Sequence, residues 1–169
     1  MSVAHFQIIP RGQRARPILR TIRLASKKFK AQVAAGDIAG MRATSERAWN
    51  ALTNLFEILR NEQDQGNLDK IFMDTPTGFI VDGISRQKQI SMIAADRLDR
   101  SHTSCRPISL RDALNKIAHY NTTTSTFRID GRGAHFLVLG GILHEKRWVA
   151  EILVSTLTKK AAIALRAIR

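Results

Sequence analysis

"AHFLVLGGILHEKRWVAEILVST", residues 134–156, decides the fold class. Trp148, Ala150, Ile152 and Val154 alternate with Val149, Glu151 and Leu153, and a period of two sends alternate side chains to opposite faces of a strand. "AHFLVLGGIL" is a second apolar run of strand length, reached through the short link "HEK". Upstream, "TFRID" reads as a third strand across "GRG". Links this short pair consecutive strands antiparallel, so the three form a meander.

The chain on either side has helical periodicity. Pro17 suits the first turn of a helix, where its missing N–H costs nothing. From there Ile18, Ile22, Ala25, Phe29 and Val33 recur at spacings of 4, 3, 4 and 4, and Gly36 is a terminator. Asp37 caps a second helix, in which Ile38, Met41, Ala48, Leu52, Leu55 and Leu59 make a stripe widened by Trp49 and Phe56. The polar run "NEQDQGN" ends it, with Gly66 near its C-terminus. So short a link between two amphipathic helices predicts an antiparallel hairpin.

"DTPTGFIVDG" places turn residues around a short apolar run with strand character. "SRQKQISMIAADRLDR" reads as a helix with Ile90, Ile93, Ala94 and Leu98 inward, and "SHTSCRP" as a loop. In "SLRDALNKIAHY", residues 109–120, Ser109 caps a helix with Leu110, Leu114, Ile117 and Ala118 on its core side. "TLTKKAAIALRAIR" is the closing helix, with Leu157, Ala161, Ala164, Leu165 and Ile168 inward. The expected class is α+β: an N-terminal helical hairpin or bundle packed with a small three-stranded antiparallel meander and a C-terminal helix. One domain is expected over residues 17–169, behind a basic flexible arm at 1–16.

Charge points to the partner. Lys and Arg total 27 against 14 acids, a formal net charge of +13. Such an excess attracts polyanions and says little about fold. Residues 1–36 hold no acid at all, a composition shared with mitochondrial transit peptides, but the amphipathic pattern runs on into structural helix. No run of eighteen apolar residues occurs, so no spanning helix is expected. Cys105 is the single cysteine, which excludes an intrachain disulfide and suits a reducing, cytoplasmic compartment. His102 and Cys105 have H-x-x-C spacing without a matching second pair, so no metal is expected. "GRG" and "GG" lack dinucleotide or P-loop spacing, and no cofactor is expected.

Two groups of residues carry the candidate chemistry. Arg16, Arg20, Arg23, Lys27 and Lys30 fall on the side of the first helix opposite its apolar stripe. Like charges along one face repel unless a polyanion neutralises them, and a phosphate backbone does so by releasing counterions. No aromatics are interleaved with these charges, which favours backbone contacts over base stacking. A membrane surface is disfavoured, because the apolar face of that helix has the character of core. The second group is Arg111, Asn115 and His119, spaced four apart on one helical ridge. A histidine there can move protons near neutral pH, and a guanidinium can hold charge developing on phosphate. A solvated helix face has the same residue types.

"LNKIAHY" resembles the end of the motif in HEPN-domain proteins, helical-bundle proteins that include many metal-independent ribonucleases of toxin and phage-defence systems. In that signature an arginine and a polar residue precede a histidine. Asn115 matches the polar position and His119 the histidine; Leu114 stands where the arginine usually does, with Arg111 one turn earlier. The resemblance implies His119 as proton shuttle, Arg111 as phosphate clamp, a site formed across a homodimer and an origin in a bacterial defence or mobile-element system. The C-terminal half is also similar to uncharacterised bacterial proteins, which imply no activity. Three functions are therefore expected to compete: a nucleic-acid binder, RNA before DNA; a metal-independent endoribonuclease; and a non-enzymatic inhibitor or adaptor docking on an acidic protein surface.

Overall fold

The structure is a computed structural model and describes residues 15–169. Most of the basic arm assigned to 1–16 lies outside the described residues. Its last residue, Arg16, belongs to the first helix instead, because Pro17 fits the opening turn and Ala15 is buried at the N-cap.

Helix α1 spans Arg16–Ala35 and stops at Gly36, whose φ of 68° is the left-handed conformation that glycine adopts without a Cβ penalty. Asp37 accepts a hydrogen bond from the Gly40 N–H at 2.9 Å and opens α2, Ile38–Asp64. The two helices pack as the expected hairpin. The α2 stripe is buried only from its second turn on. Thr44, Ala51, Leu52, Leu55, Phe56 and Leu59 are core, while Ile38, beside the hairpin turn, is 77% exposed.

After the single turn α3, Lys70–Met73, the chain enters β1, Pro76–Ile84. A short helix α4, Arg86–Ala94, precedes β2, Arg106–Ser109. Helix α5 is Leu110–Ala118; β3, β4 and β5 are Ser125–Ile129, His135–Leu143 and Lys146–Leu153; α6 is Val154–Arg166. Strands β3, β4 and β5 are the expected meander. The sheet is larger than expected, however: it has five strands in the order β2-β1-β5-β4-β3, each pairing antiparallel. The run at 76–84 returns to lie beside β5, and Arg106–Ser109 adds an edge strand. Pro107 is tolerated there because an edge has one side free of ladder bonds.

Alternation divides the sheet faces. Ile80, Leu139, Ala150 and Ile152 meet α1, α2, α5 and α6 in the main core. Val81, Val138 and Val149 face the other way, against Met92 and Leu98. The inward residues of α4 differ from expectation. Ile90 is 51% exposed, Ala94 is exposed, and Gln89 and Met92 are buried. The Gln89 amide donates to the carbonyls of Gly141 and Trp148, each at 3.0 Å. That meets the cost of burying a polar side chain and pins α4 to the sheet.

Candidate functional site

The cationic ridge lies on the outside of α1. Arg16, Arg20, Arg23 and Lys27 are exposed. Ion pairs among the described residues engage Arg60, Lys70, Lys88, Arg100, Arg106, Arg111 and Arg128, and none involves the α1 ridge. Helix α1 has no acid of its own to neutralise the row. Lys30 is different. It is half-buried, and its Nζ donates to the Gly133 carbonyl in the β3–β4 turn at 3.0 Å.

The second predicted group is brought together. Arg111, Asn115 and His119 line one cleft of about 360 Å³ with Phe56, Arg60 and Asp112. Its members differ in freedom. Arg111 donates to Asp64 Oδ1 through both Nη atoms at 3.2 Å and to Gln63 Oε1, so the end of α2 occupies the guanidinium. Arg60 shares the same carboxylate at 3.5 Å. His119 is exposed and stands at the C-cap of α5, just past the helical residues, with its backbone N–H bonded to Asn115. The two arginines of the cleft thus share the Asp64 carboxylate, and Asp112 adds a second acid to the lining.

Two further clusters were not foreseen. On the second sheet face, Glu151 is 4% exposed and bridges Arg100 at 2.7 Å and Arg128 at 2.8 Å. Burial alone would raise its carboxyl pKa, but hydrogen bonds and charge from the two arginines more than offset this and lower it. Arg100 also lies over the Phe79 ring at 3.5 Å, and Arg128 over Phe136 at 4.0 Å. This clamp ties the segment after α4 to β3 and β5.

The other cluster surrounds a cavity of about 240 Å³ between the helical hairpin and strands β3 and β4. Phe29 stacks on His135 at 5.2 Å and meets Phe127 edge-on at 4.7 Å, while Trp49 stacks on Tyr120 at 4.2 Å. Ser26 Oγ and His135 Nδ1 are hydrogen-bonded at 2.9 Å. Burial, with a smaller contribution from the Lys30 charge, pushes the His135 pKa down from 6.5 to about 4. No local spacing advertises this site, because its rings come from separate helices and strands and each one alone reads as core.

Among the described residues, no three His, Cys, Asp or Glu side chains are grouped to hold a metal ion, and no helix is long and apolar enough to cross a membrane. Comparison of the chain with protein-family models, curated proteins and solved structures finds no match.

Proposed function

We propose that the chain binds the phosphate backbone of nucleic acid along α1. The observation that carries this reading is the row Arg16, Arg20, Arg23 and Lys27, exposed and without an acidic partner among the described residues. Steps of four, three and four residues keep the row on one helix face about 16 Å long at 1.5 Å per residue. Lys30 extends it toward the β3–β4 turn. Contacts of this kind fix a protein on a backbone without reading bases. A preference for RNA over DNA, and a role in bacterial defence or on a mobile element, rest on the HEPN resemblance of "LNKIAHY" alone.

Fluorescence anisotropy with a labelled single-stranded RNA at about 100 mM salt tests the reading. Arg20→Glu combined with Lys27→Glu should abolish binding, and His119→Ala should leave it intact. Failure of the wild type to bind either RNA or DNA would remove the proposal and favour an acidic protein partner.

A second reading, metal-independent RNA cleavage, is favoured by the placing of Arg111, Asn115 and His119 around one cleft. It requires Arg111 to leave Asp64 and Gln63 when phosphate arrives. RNA breakdown in EDTA that is lost in His119→Ala would establish it. Binding without breakdown would rule it out.

A further inference from the structure

We infer that the cavity between α1, α2 and strands β3 and β4 is a binding site for a small, uncharged, planar aromatic molecule carrying one hydrogen-bonding group. Size, wall chemistry and a polar anchor each bear on this. An engineered apolar cavity of about 150 Å³ takes one benzene ring. The cavity here, about 240 Å³, suits one ring with substituents or two fused rings.

Its walls favour aromatic over aliphatic occupants. Phe29, Trp49, Tyr120, Phe127 and His135 all line it, and aromatic rings gain from offset-stacked and edge-to-face contacts beyond the area they bury. The two stacked pairs, Trp49 with Tyr120 and Phe29 with His135, are drawn from both helices of the hairpin and from the strand side. The cavity lies between these pairs and is partly open to solvent.

Hydroxyl residues Ser26, Thr44, Ser45, Thr122, Ser125 and Thr126 also line the mainly apolar wall, and one polar pair is particular. Ser26 and His135 hold each other at 2.9 Å through Nδ1, so the histidine has a second ring nitrogen left for a ligand. His135 is neutral at pH 7, since burial and Lys30 both oppose its protonation. A neutral imidazole exchanges a hydrogen bond with a phenol or a heteroaromatic N–H and does not demand a charged partner. A mainly apolar concave pocket with convergent polar groups and a displaced histidine pKa is the usual anatomy of a small-molecule site. The cavity uses the inner side of α1, through Ile22, Ala25 and Ser26, and the exposed cations Arg16, Arg20, Arg23 and Lys27 do not line it.

The test is a titration of the full chain with 1-naphthol, naphthalene and indole, followed by amide chemical shifts in NMR. Saturable shifts are expected around residues 22–29, 44–52 and 135–139, with 1-naphthol binding several-fold tighter than naphthalene. Ala48→Phe, which fills the space, should weaken binding at least tenfold without loss of the native spectrum. Should that variant fail to fold, Ser45→Leu at another wall position makes the same measurement. His135→Phe should erase the preference for 1-naphthol over naphthalene. Shifts that never saturate, or that survive the filling substitution, would overturn the proposal. Because no nucleic acid enters the assay, its outcome is independent of how α1 fares with RNA.

Discussion

His135 shows how one side chain links folding to pH. Half-buried against Phe29 and Phe127 and facing Lys30 and Ser26, it titrates near 4 in the folded chain and near 6.5 when unfolded. Between those values the unfolded chain binds more protons, so stability rises with pH. The contribution is complete above about pH 6.5 and is lost as pH falls through about 4. A difference of this size corresponds to roughly 3 kcal/mol at most, less what partial solvent access removes. Thermal melts at pH 7 and pH 5 should therefore show a larger drop for the wild type than for His135→Phe. Equal drops would show that burial does not hold this imidazole neutral. Gln89 makes a different point at the same scale. Gln89→Leu keeps the volume but strips the donor from the Gly141 and Trp148 carbonyls. It should cost about 1–3 kcal/mol in urea unfolding, with the midpoint shifted and the slope unchanged.

At the scale of elements, the β4–β5 link is strained where the sheet most depends on it. His144 and Glu145 both have positive φ, 47° and 64°, between the register pair Leu143 and Lys146. A two-residue link with both φ positive is the demand of a type I′ turn, which Asn-Gly meets best. Replacing His144 by Asn and Glu145 by Gly should stabilise the fold by about 1–2 kcal/mol, because a left-handed non-glycine residue costs about 1 kcal/mol or more, which Gly escapes and Asn reduces. A differential scanning measurement that finds no rise in melting temperature would contradict the assignment. The same hairpin also shows what local sequence can convey. Trp148 to Ile152 are buried on both sheet faces, one against the helices of the main core and the other against Met92 and Leu98, so a β-branched apolar run of strand length makes strand, meander and closing helix legible. Strand β2 was not legible, because four residues containing Pro107 carry too little pattern and gain their pairing from β1. Helix α4 was misaligned because its deepest residue is a glutamine, which hydrophobic periodicity counts as surface. Similarly, the cationic row and the Arg111–His119 ridge could be read from spacing, whereas the Asp64 contact that occupies Arg111 joins residues 47 apart. The aromatic cavity is less local still.

At the scale of the whole molecule, a net charge of +13 is not spread evenly in its effects. The ion pairs described above draw on cations of α2, α3, α4, β2, α5, β3 and a loop, and none draws on the exposed α1 row Arg16, Arg20, Arg23 and Lys27. Salt dependence distinguishes this concentration from a diffuse basic charge. If the four free cations of the ridge each displace one counterion, the logarithm of the binding constant should fall with slope about −2.8 on single strands and about −3.6 on duplex DNA. Raising salt from about 50 to 200 mM would then weaken binding roughly fiftyfold on single-stranded RNA and roughly 150-fold on duplex DNA. Counting Lys30 as well would steepen both slopes by one contact, but its Nζ is already engaged by Gly133. Neutralising Arg20 and Lys27 together as glutamine should halve the single-strand slope to about −1.4, because two of four contacts are gone. Neutralising Lys159 and Lys160 on α6 should leave it unchanged. If the slope instead falls equally for both pairs, the attraction belongs to the molecule's overall field, and α1 has no special place in it.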